Sequence, residues 1–285
     1  MYLLCLLVLA LLPAPTRQGD GGVTSLTVEE ALAQGVPLTF SPPTALSTLH
    51  AAHAASLAPQ PPQPPGSLRP HLPALRQVAQ LCASAADLGA RDSGPLYALL
   101  LGLAEGQARV QAQHAQLVQA AVGAQGAPAP APAPAPPPRA FLHSARWAGS
   151  GSGSGVGAAP ASLLLPLGRA LGVDVSVGAP GEGQPWELPR AVDFLVLDGA
   201  RSHGAVLRDL LALAPRAQKF IGLPHSELAP PDAGSSGGAA AHAPGMALKA
   251  AVFDFLYPGN NSAQWEVQAH FSNDAGFTLL GRKRS

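Results

Sequence analysis

Acidic and imidazole side chains lie in and just after one stretch of the chain, AVDFLVLDGARSHGAVLRDLLALAPRAQKFIGL (residues 191–223). Asp198 closes an apolar run, His203 follows it, and His225 comes just past the next apolar run. A carboxylate beside an imidazole is a pair that general-base catalysis uses to remove a proton from a hydroxyl. We therefore take Asp198, His203 and His225 as candidate catalytic groups. Asp198 is also the candidate ligand if a divalent metal binds.

Ser202, His203 and Asp198 also supply the side-chain types of a hydrolase triad. No G-x-S-x-G elbow surrounds Ser202, and adjacent Ser and His side chains at a helix start diverge, which disfavours a hydrolase. Ordinary structural roles fit these residues too. A histidine at a helix start is commonly a capping or surface residue, and Asp before Gly is a common turn pair.

The same stretch predicts a strand, a helix and a second strand. Residues 194–197 are an apolar run typical of a strand buried on both faces of a parallel sheet. Ser202 is the expected N-cap of a helix whose apolar residues recur at helical spacing: Val206, Leu207, Leu210 and Leu211. Residues 219–223 start the second strand. A right-handed β-α-β unit places both strand ends at one edge of the sheet, where open α/β sheets bind ligands.

A glycine-bearing turn, GARDSGP (residues 89–95), lies between a predicted strand at residues 84–88 and a predicted helix. This layout lets the backbone approach a nucleotide closely. The candidate cofactor-binding residues are Asp87, Gly89, Arg91 and Gly94. A second glycine-rich run at residues 153–158 resembles a dinucleotide fingerprint. Alternating Gly and Ser is typical of a linker, however, and no acidic residue ends the next strand as that fingerprint requires.

The remaining pattern predicts the rest of an α/β domain, with low-complexity insertions at residues 121–138, 148–160 and 227–245. At the C-terminus, residues 265–271 and 277–280 predict an antiparallel hairpin. Strict alternation along its first strand puts Trp265, Val267, Ala269 and Phe271 on one face. We predict a Rossmann-like, mostly parallel sheet of about seven strands with helices on both faces and an antiparallel C-terminal hairpin.

Charge and the N-terminal segment bear on partners and compartment. The 285 residues carry 17 basic and 17 acidic side chains, so no charge excess recruits nucleic acid. Residues 1–16 are apolar and too short to span a bilayer comfortably, which predicts a signal peptide; an uncleaved anchor or an organelle leader stays open. We expect no other membrane span. Residues 17–70 are rich in Pro and Ala and predict a poorly ordered lead-in.

A large secreted domain does not require a disulfide, and a glycosylation sequon agrees with a secretory route. Cys82 is the only cysteine outside the signal segment, so we expect no internal disulfide. Asn260 begins an N-x-S sequon after Pro258 and Gly259 and is a candidate glycosylation site. We expect the protein in the secretory lumen or outside the cell.

Three segments resemble class I S-adenosylmethionine-dependent methyltransferases of the small-molecule or sugar O-methyltransferase type. They are HLPALRQVAQLCASAADLGARDSGPLYALLLGL, FLVLDGARSHGAVLRDLLALAPRAQKFIGL and HFSNDAGFTLLGRK, three separate segments within residues 71–285. The resemblance implies S-adenosylmethionine as cofactor, held at Asp87, Gly89 and Gly94. It implies O-methylation of a small-molecule or glycan hydroxyl in the secretory pathway. The alternative is an inactive methyltransferase-fold protein that serves as a binding or scaffold module.

The chain departs from that family at several positions. Asp92 stands about where the family has a second glycine. Ser144 lies where an acid is expected to bind the ribose hydroxyls. Asp198 matches the fourth-strand motif, but the residues after it do not match the histidine and aromatic residue that usually follow. The fifth strand is followed by His225-Ser226-Glu227 rather than His-Asp, so part of a divalent-metal ligand set is missing.

Overall fold

The secondary structure is defined in a computed structural model that describes residues 38–58, 68–88, 94–125, 139–143, 158–178, 188, 191–197, 202–224, 244–272 and 276–284. Six α-helices occur in these ranges: α1 Pro42–Leu57, α2 Leu72–Ala79, α3 Gly94–Gln125, α4 Ala158–Ala170, α5 His203–Leu213 and α6 Pro244–Leu256. The strands there are β1 Ser84–Asp87, β2 Arg139–His143, β3 Asp174–Gly178, β4 Val192–Val196, β5 Ala217–Pro224, β6 Trp265–Phe271 and β7 Phe277–Arg282. Short 3₁₀ turns span Arg69–His71 and Ala214–Arg216.

The strands form one mixed sheet in the order β3-β2-β1-β4-β5-β7-β6. The strands from β3 to β5 in this order are mutually parallel. β7 runs antiparallel to both β5 and β6. The predicted α/β class and the predicted C-terminal hairpin are confirmed.

The sheet is covered by helices on both faces, and the alternating side chains of β4 show this directly. Phe194 and Val196 belong to a core that contains residues of α1, α2, α3 and α4. Leu195 belongs to a second core, which contains residues of α5 and α6. Every residue of β4 is buried, and all except Asp193 are apolar, as a strand buried on both faces requires.

The expectation of a poorly ordered lead-in at residues 17–70 is wrong for α1. Ser41 caps this helix by accepting a hydrogen bond from the Thr44 N–H at 3.4 Å, and Pro42 occupies its first turn. Ala45 and Leu49 are fully buried and join the core beneath α3. The domain therefore begins before residue 71, because α1 supplies part of its core.

Helices extend into one end of each of the three predicted low-complexity insertions. α3 is one continuous helix of 32 residues that reaches Gln125, inside the predicted insertion at 121–138. α4 begins at Ala158 and α6 at Pro244, inside the insertions predicted at 148–160 and 227–245. Alanine has the highest helix propensity of the residues involved, which explains the extension of α3. The signal segment at residues 1–16 lies outside the described residues.

The strict alternation predicted for β6 is wrong, because the register between β6 and β7 shifts between Val267 and Ala269. Trp265 packs in the core beneath α5 and α6, whereas Ala269 packs against the core on the other face. The extra residue at the shift is Gln268. A bulge of this kind adds one residue to one strand and reverses the facing of every residue beyond it.

α2 and α3 approach each other closely at two glycines of α3. A Cβ atom on Gly106 would lie 2.5 Å from the Gln80 carbonyl oxygen, and one on Gly102 would meet the Arg76 carbonyl. Glu105, between the glycines, accepts hydrogen bonds from Arg76 Nε at 2.9 Å and Gln80 Nε2 at 2.7 Å. Burial raises the pKa of Glu105, but these hydrogen bonds outweigh it and hold the pKa below its usual value.

Asp193 links the starts of three neighbouring strands at the end of the sheet opposite Asp87. Its Oδ2 accepts from the Ala83 N–H at 2.7 Å and lies 2.9 Å from Lys219 Nζ. The Asp193 N–H donates to Ser84 Oγ at 2.9 Å. Cys82 is buried beside this group, and burial, followed by the Asp193 charge, raises the pKa of its thiol to about 12. We assign this cluster to the stability of the sheet.

Candidate functional site

The strand order reverses between β1 and β4. From β1 the chain adds β2 and then β3 on one side, and it returns to place β4 on the other side. Asp87 on β1 lies in register with Val196 on β4 at this point. Open α/β sheets bind their ligands outside the carboxyl ends of the strands at such a reversal. The edge next to Asp87 is therefore the candidate ligand site.

Asp87 is the last residue of β1 and is fully buried. The backbone ladder continues beyond it towards the sheet edge. The Leu88 N–H donates to the Val196 carbonyl at 2.9 Å, and the Leu197 N–H donates to the Gly222 carbonyl at 2.9 Å. A carboxylate held at such an edge, with water excluded, is suited to accept hydrogen bonds from an ammonium or hydroxyl group of a ligand.

α3 begins at Gly94, so its N-terminus follows β1 closely in the chain. The first turn of a helix carries a partial positive charge, which favours an anionic ligand group. Leu96 and Tyr97 are buried and fix this turn against the core. A carboxylate on β1 and the positive end of α3 together suit a ligand with both an ammonium and a carboxylate group. Gly89 and Arg91 lie outside the described residues.

His203 is the first residue of α5, and its Nε2 lies 2.9 Å from Asp254 Oδ2 on α6. Both side chains are 39% exposed. The predicted partner, Asp198, lies outside the described residues. Asp254 was missed in the sequence analysis because 51 positions separate it from His203 and it follows no motif. The structure brings His203 to an interhelical contact; its predicted catalytic role stays a prediction.

Two further predicted site residues, His225 and Asn260, lie at or just beyond the ends of described elements. β5 ends at Pro224, so His225 immediately follows the described part of that strand. Asn260 is exposed and has a left-handed backbone with φ of 54°, in the turn that follows α6. The neighbouring Asn261 amide donates to the Phe255 carbonyl at 3.0 Å and holds this turn.

Within the described ranges, no three His, Cys, Asp or Glu side chains gather as a metal ion would require. No helix there has the length and apolar character to cross a bilayer. Asp198 as a metal ligand stays a prediction.

The chain is similar to solved O-methyltransferases. One is the O-methyltransferase from Bacillus cereus in complex with SAH, at 12% identity, covering 90% of this chain and 98% of that one, with a TM-score of 0.41. Another is the O-methyltransferase TomG from Streptomyces achromogenes in complex with SAM, at 13% identity, covering 84% and 90%, with a TM-score of 0.44. A third is SAH-bound Podospora anserina methyltransferase PaMTH1, at 11% identity, covering 93% and 100%, with a TM-score of 0.40.

No protein-family model matches the chain, and no curated protein matches it. Identities and TM-scores this low determine neither a family nor an activity for this chain.

Proposed function

We propose that the chain binds S-adenosylmethionine at the edge between β1 and β4 and methylates a hydroxyl of a small-molecule or glycan acceptor. One observation carries this proposal. Asp87 is fully buried at the carboxyl end of β1, at the reversal of a β3-β2-β1-β4-β5-β7-β6 sheet. The solved structures named above in complex with SAM or SAH agree with this cofactor.

The residues after β1 fit the amino-acid end of that cofactor. The Asp87 carboxylate would accept hydrogen bonds from its ammonium group, and the N-terminus of α3 at Gly94 would face its carboxylate. Bound S-adenosylmethionine supplies a methyl group on a sulfonium, which an acceptor oxygen takes by in-line displacement. The protein's task is then to align that oxygen and remove its proton.

Two histidines, His203 and His225, are candidates to remove the acceptor proton, and Asp198 is the candidate to orient the acceptor. Asp198 and His225 follow β4 and β5 in the chain, so both come after strands that end at the proposed site. Asp198 would orient the acceptor and His225 would take its proton. His203 Nε2 is already held by Asp254, so a catalytic role for His203 would use its Nδ1 atom.

Two observations favour a second candidate function, a binding or scaffold module without activity. β2 ends at His143, and the next residue is Ser144 where the family has an acid for the ribose hydroxyls. His203 serves an interhelical contact. Loss of the ribose acid would weaken cofactor binding, because the two hydroxyl groups would lack a charged acceptor.

Isothermal titration of S-adenosylmethionine and S-adenosylhomocysteine into the full chain, with and without Mg²⁺, separates these functions. A methyltransferase requires saturable binding, with Kd on the order of 1–100 µM. Binding of either compound would justify an acceptor screen with methyl-labelled cofactor. Dependence of that methylation on Mg²⁺ would support a metal site at Asp198. Absence of binding by both compounds would exclude the methyltransferase and favour the scaffold module.

We propose a secretory location, supported by the apolar residues 1–16 and by the exposed Asn260 sequon. Expression in a eukaryotic secretory host tests this location. We expect a glycoform that endoglycosidase removes and that Asn260→Gln abolishes. Ser262→Thr is the matched control, because it keeps the sequon and should keep the glycan. Failure of the chain to enter the secretory route would contradict the proposed location. A chain that is secreted without a glycan would contradict the use of the Asn260 sequon.

A further inference from the structure

α3 is much longer than the part of it that the domain buries. Residues 94–104 are all buried, whereas residues 108–120 are exposed except for the half-buried His114 and Val118. The stretch from residue 108 to the helix end at Gln125 is about 27 Å long at the usual rise of an α-helix. We call residues 108–125 the arm. It begins about 20 Å from Gly94 along the helix, so it is separate from the candidate cofactor site.

One stripe of α3 continues from the domain into the arm. Its residues are spaced alternately four and three apart: Leu96, Leu100, Leu103, Gln107, Val110, His114 and Leu117. The first three are buried in the core, whereas Val110 and Leu117 are 50% and 70% exposed. A seven-residue repeat of this kind is typical of helices that pair as a coiled coil. The arm therefore presents a coiled-coil face to solvent.

The composition of the arm favours a second arm as its partner. Arg109 is the only Asp, Glu, Lys or Arg in residues 108–125, and its Nη2 donates to Gln80 Oε1 of α2 at 2.9 Å. The other polar side chains of the arm are glutamines and His114. A strongly charged partner would find no complementary charge on this surface. A second arm brings no like-charge repulsion, and its glutamine amides both donate and accept hydrogen bonds.

The position of the domain allows two arms to pair in one direction only. Packed helices lie with their axes about 8–10 Å apart. In each copy, α1 and α2 already pack on the N-terminal half of α3, where Leu49 and Leu75 share its core. Parallel pairing would set these two halves side by side, so the two domains would overlap. Antiparallel pairing places each domain beyond the tip of the other arm.

We propose that two copies of the chain form a symmetric dimer by antiparallel pairing of their arms. Keeping both stripes in register packs Leu117 of one copy beside His114 of the other, on each side of a two-fold axis. A polar residue in such a seam lowers stability but fixes the register. The contact is only one helix wide, at the small end of interface sizes, so we expect a Kd on the order of 10–100 µM.

Sedimentation equilibrium of the full chain, at concentrations that span this Kd, tests the dimer. Leu117→Asp should shift the equilibrium at least about tenfold towards monomer, because pairing would bury two unpaired carboxylates. Val110→Asp should act in the same direction. Both side chains are at least half exposed, so both variants should keep the thermal unfolding transition of the unmodified chain. Gln119→Asp is the matched control, since it adds the same charge on the side of the arm away from the stripe.

Nitroxide labels measure the direction of pairing. Antiparallel arms put the two labels at Ala115→Cys side by side but separate the two labels at Ala108→Cys by about 20 Å along the axis. Parallel arms would give equal separations at both positions. Both alanines are exposed, and Cys82 is buried, so Cys82 should remain unlabelled.

Three results would overturn the proposal. The first is a chain that stays monomeric over the whole concentration range. The second is a dimer that Leu117→Asp weakens no more than Gln119→Asp does, which would place the interface elsewhere. The third is equal label separations at the two positions. The dimer does not depend on the proposed methyl transfer, so titration of S-adenosylmethionine into the Leu117→Asp protein should give the affinity of the unmodified chain and distinguishes the two failures.

Discussion

His203 Nε2 and Asp254 Oδ2, 2.9 Å apart, join the first residue of α5 to the last turn of α6. The arrangement suits both helices. Asp254 brings a negative charge to the positive N-terminus of α5, and a protonated His203 brings a positive charge to the negative C-terminus of α6. The pair therefore stabilises the packing of two helices, whatever else His203 does.

We predict that Asp254→Asn lowers the free energy of unfolding by about 1 kcal/mol, given the partial exposure of both side chains. Urea unfolding of the two single variants and of the double variant with His203→Gln would measure the coupling. Arg208→Gln, an exposed change on the same helix, is the control. Additive effects of the two substitutions would show that the contact contributes nothing.

Asp87→Asn should abolish binding of S-adenosylmethionine while the thermal unfolding transition is retained. The substitution preserves the shape of the buried side chain but removes the charge that would bind an ammonium group. We expect affinity to fall at least about 100-fold, equivalent to roughly 3 kcal/mol. Titration calorimetry measures the change, with Glu266→Gln on the edge strand as the control. Unchanged affinity in a folded Asp87→Asn protein would place the cofactor elsewhere.

Gly106→Ala should destabilise the protein although alanine is the better helix former. The added methyl would lie 2.5 Å from the Gln80 carbonyl oxygen, so α2 and α3 must separate. We expect a loss of about 1–3 kcal/mol in chemical denaturation. Gly204→Ala is the matched control, because no atom lies within 4 Å of its added Cβ. That control should be neutral or stabilise by up to about 1 kcal/mol. Equal changes in the free energy of unfolding for Gly106→Ala and Gly204→Ala would contradict a close contact between α2 and α3 at Gly106.

Acidification below neutral pH should destabilise the domain through His53 on α1. Burial lowers the pKa of this histidine, and the charges of Arg76 and His50 lower it further, while Glu105 opposes them. The unfolded chain then binds the proton more readily than the folded one. The contribution of neutral His53 to the free energy of unfolding is complete above pH 6.5, the ordinary pKa of histidine. It is lost as the pH falls from that value towards the lowered pKa of His53 in the folded protein.

Urea unfolding at pH 7.5 and 5.0 would measure this effect. We expect His53→Leu to reduce the loss of stability between these pH values, whereas His50→Gln should retain most of it. The window for Glu105 lies below 4.5, so the Glu105 carboxyl does not contribute at these pH values. A His53→Leu protein with the same pH dependence as the unmodified protein would assign the effect to other groups.

The sequence predicts the strands well where a short apolar run meets a turn. β1 and β4 lie where the patterns at residues 84–88 and 194–197 place them, because burial on both faces demands an unbroken apolar run. The position of Asp87 at the sheet edge could be predicted for the same reason, since a polar residue at the end of such a run lies at that edge.

α1 and the facing of β6 could not be predicted in the same way. α1 buries polar residues, Thr48 and His53, beside Ala45 and Leu49, so its apolar stripe is weak. The signal that could have found it is Ser41 followed by prolines, which is typical of a helix start. The β6 bulge leaves no mark in the alternation itself, because one extra residue shifts the pattern without changing composition.

The packing of α1 also bears on the order in which the chain can fold during synthesis. α1 is made first among the described elements, yet its core neighbours include Leu163 and Leu164 of α4. About 100 residues lie between the end of α1 and the start of α4, which at ~5–20 residues per second corresponds to a delay of roughly 5–20 s. During that interval the apolar side of α1 has no complete core to join. A nascent chain paused before α4 should therefore be more susceptible to protease within α1 than the finished protein.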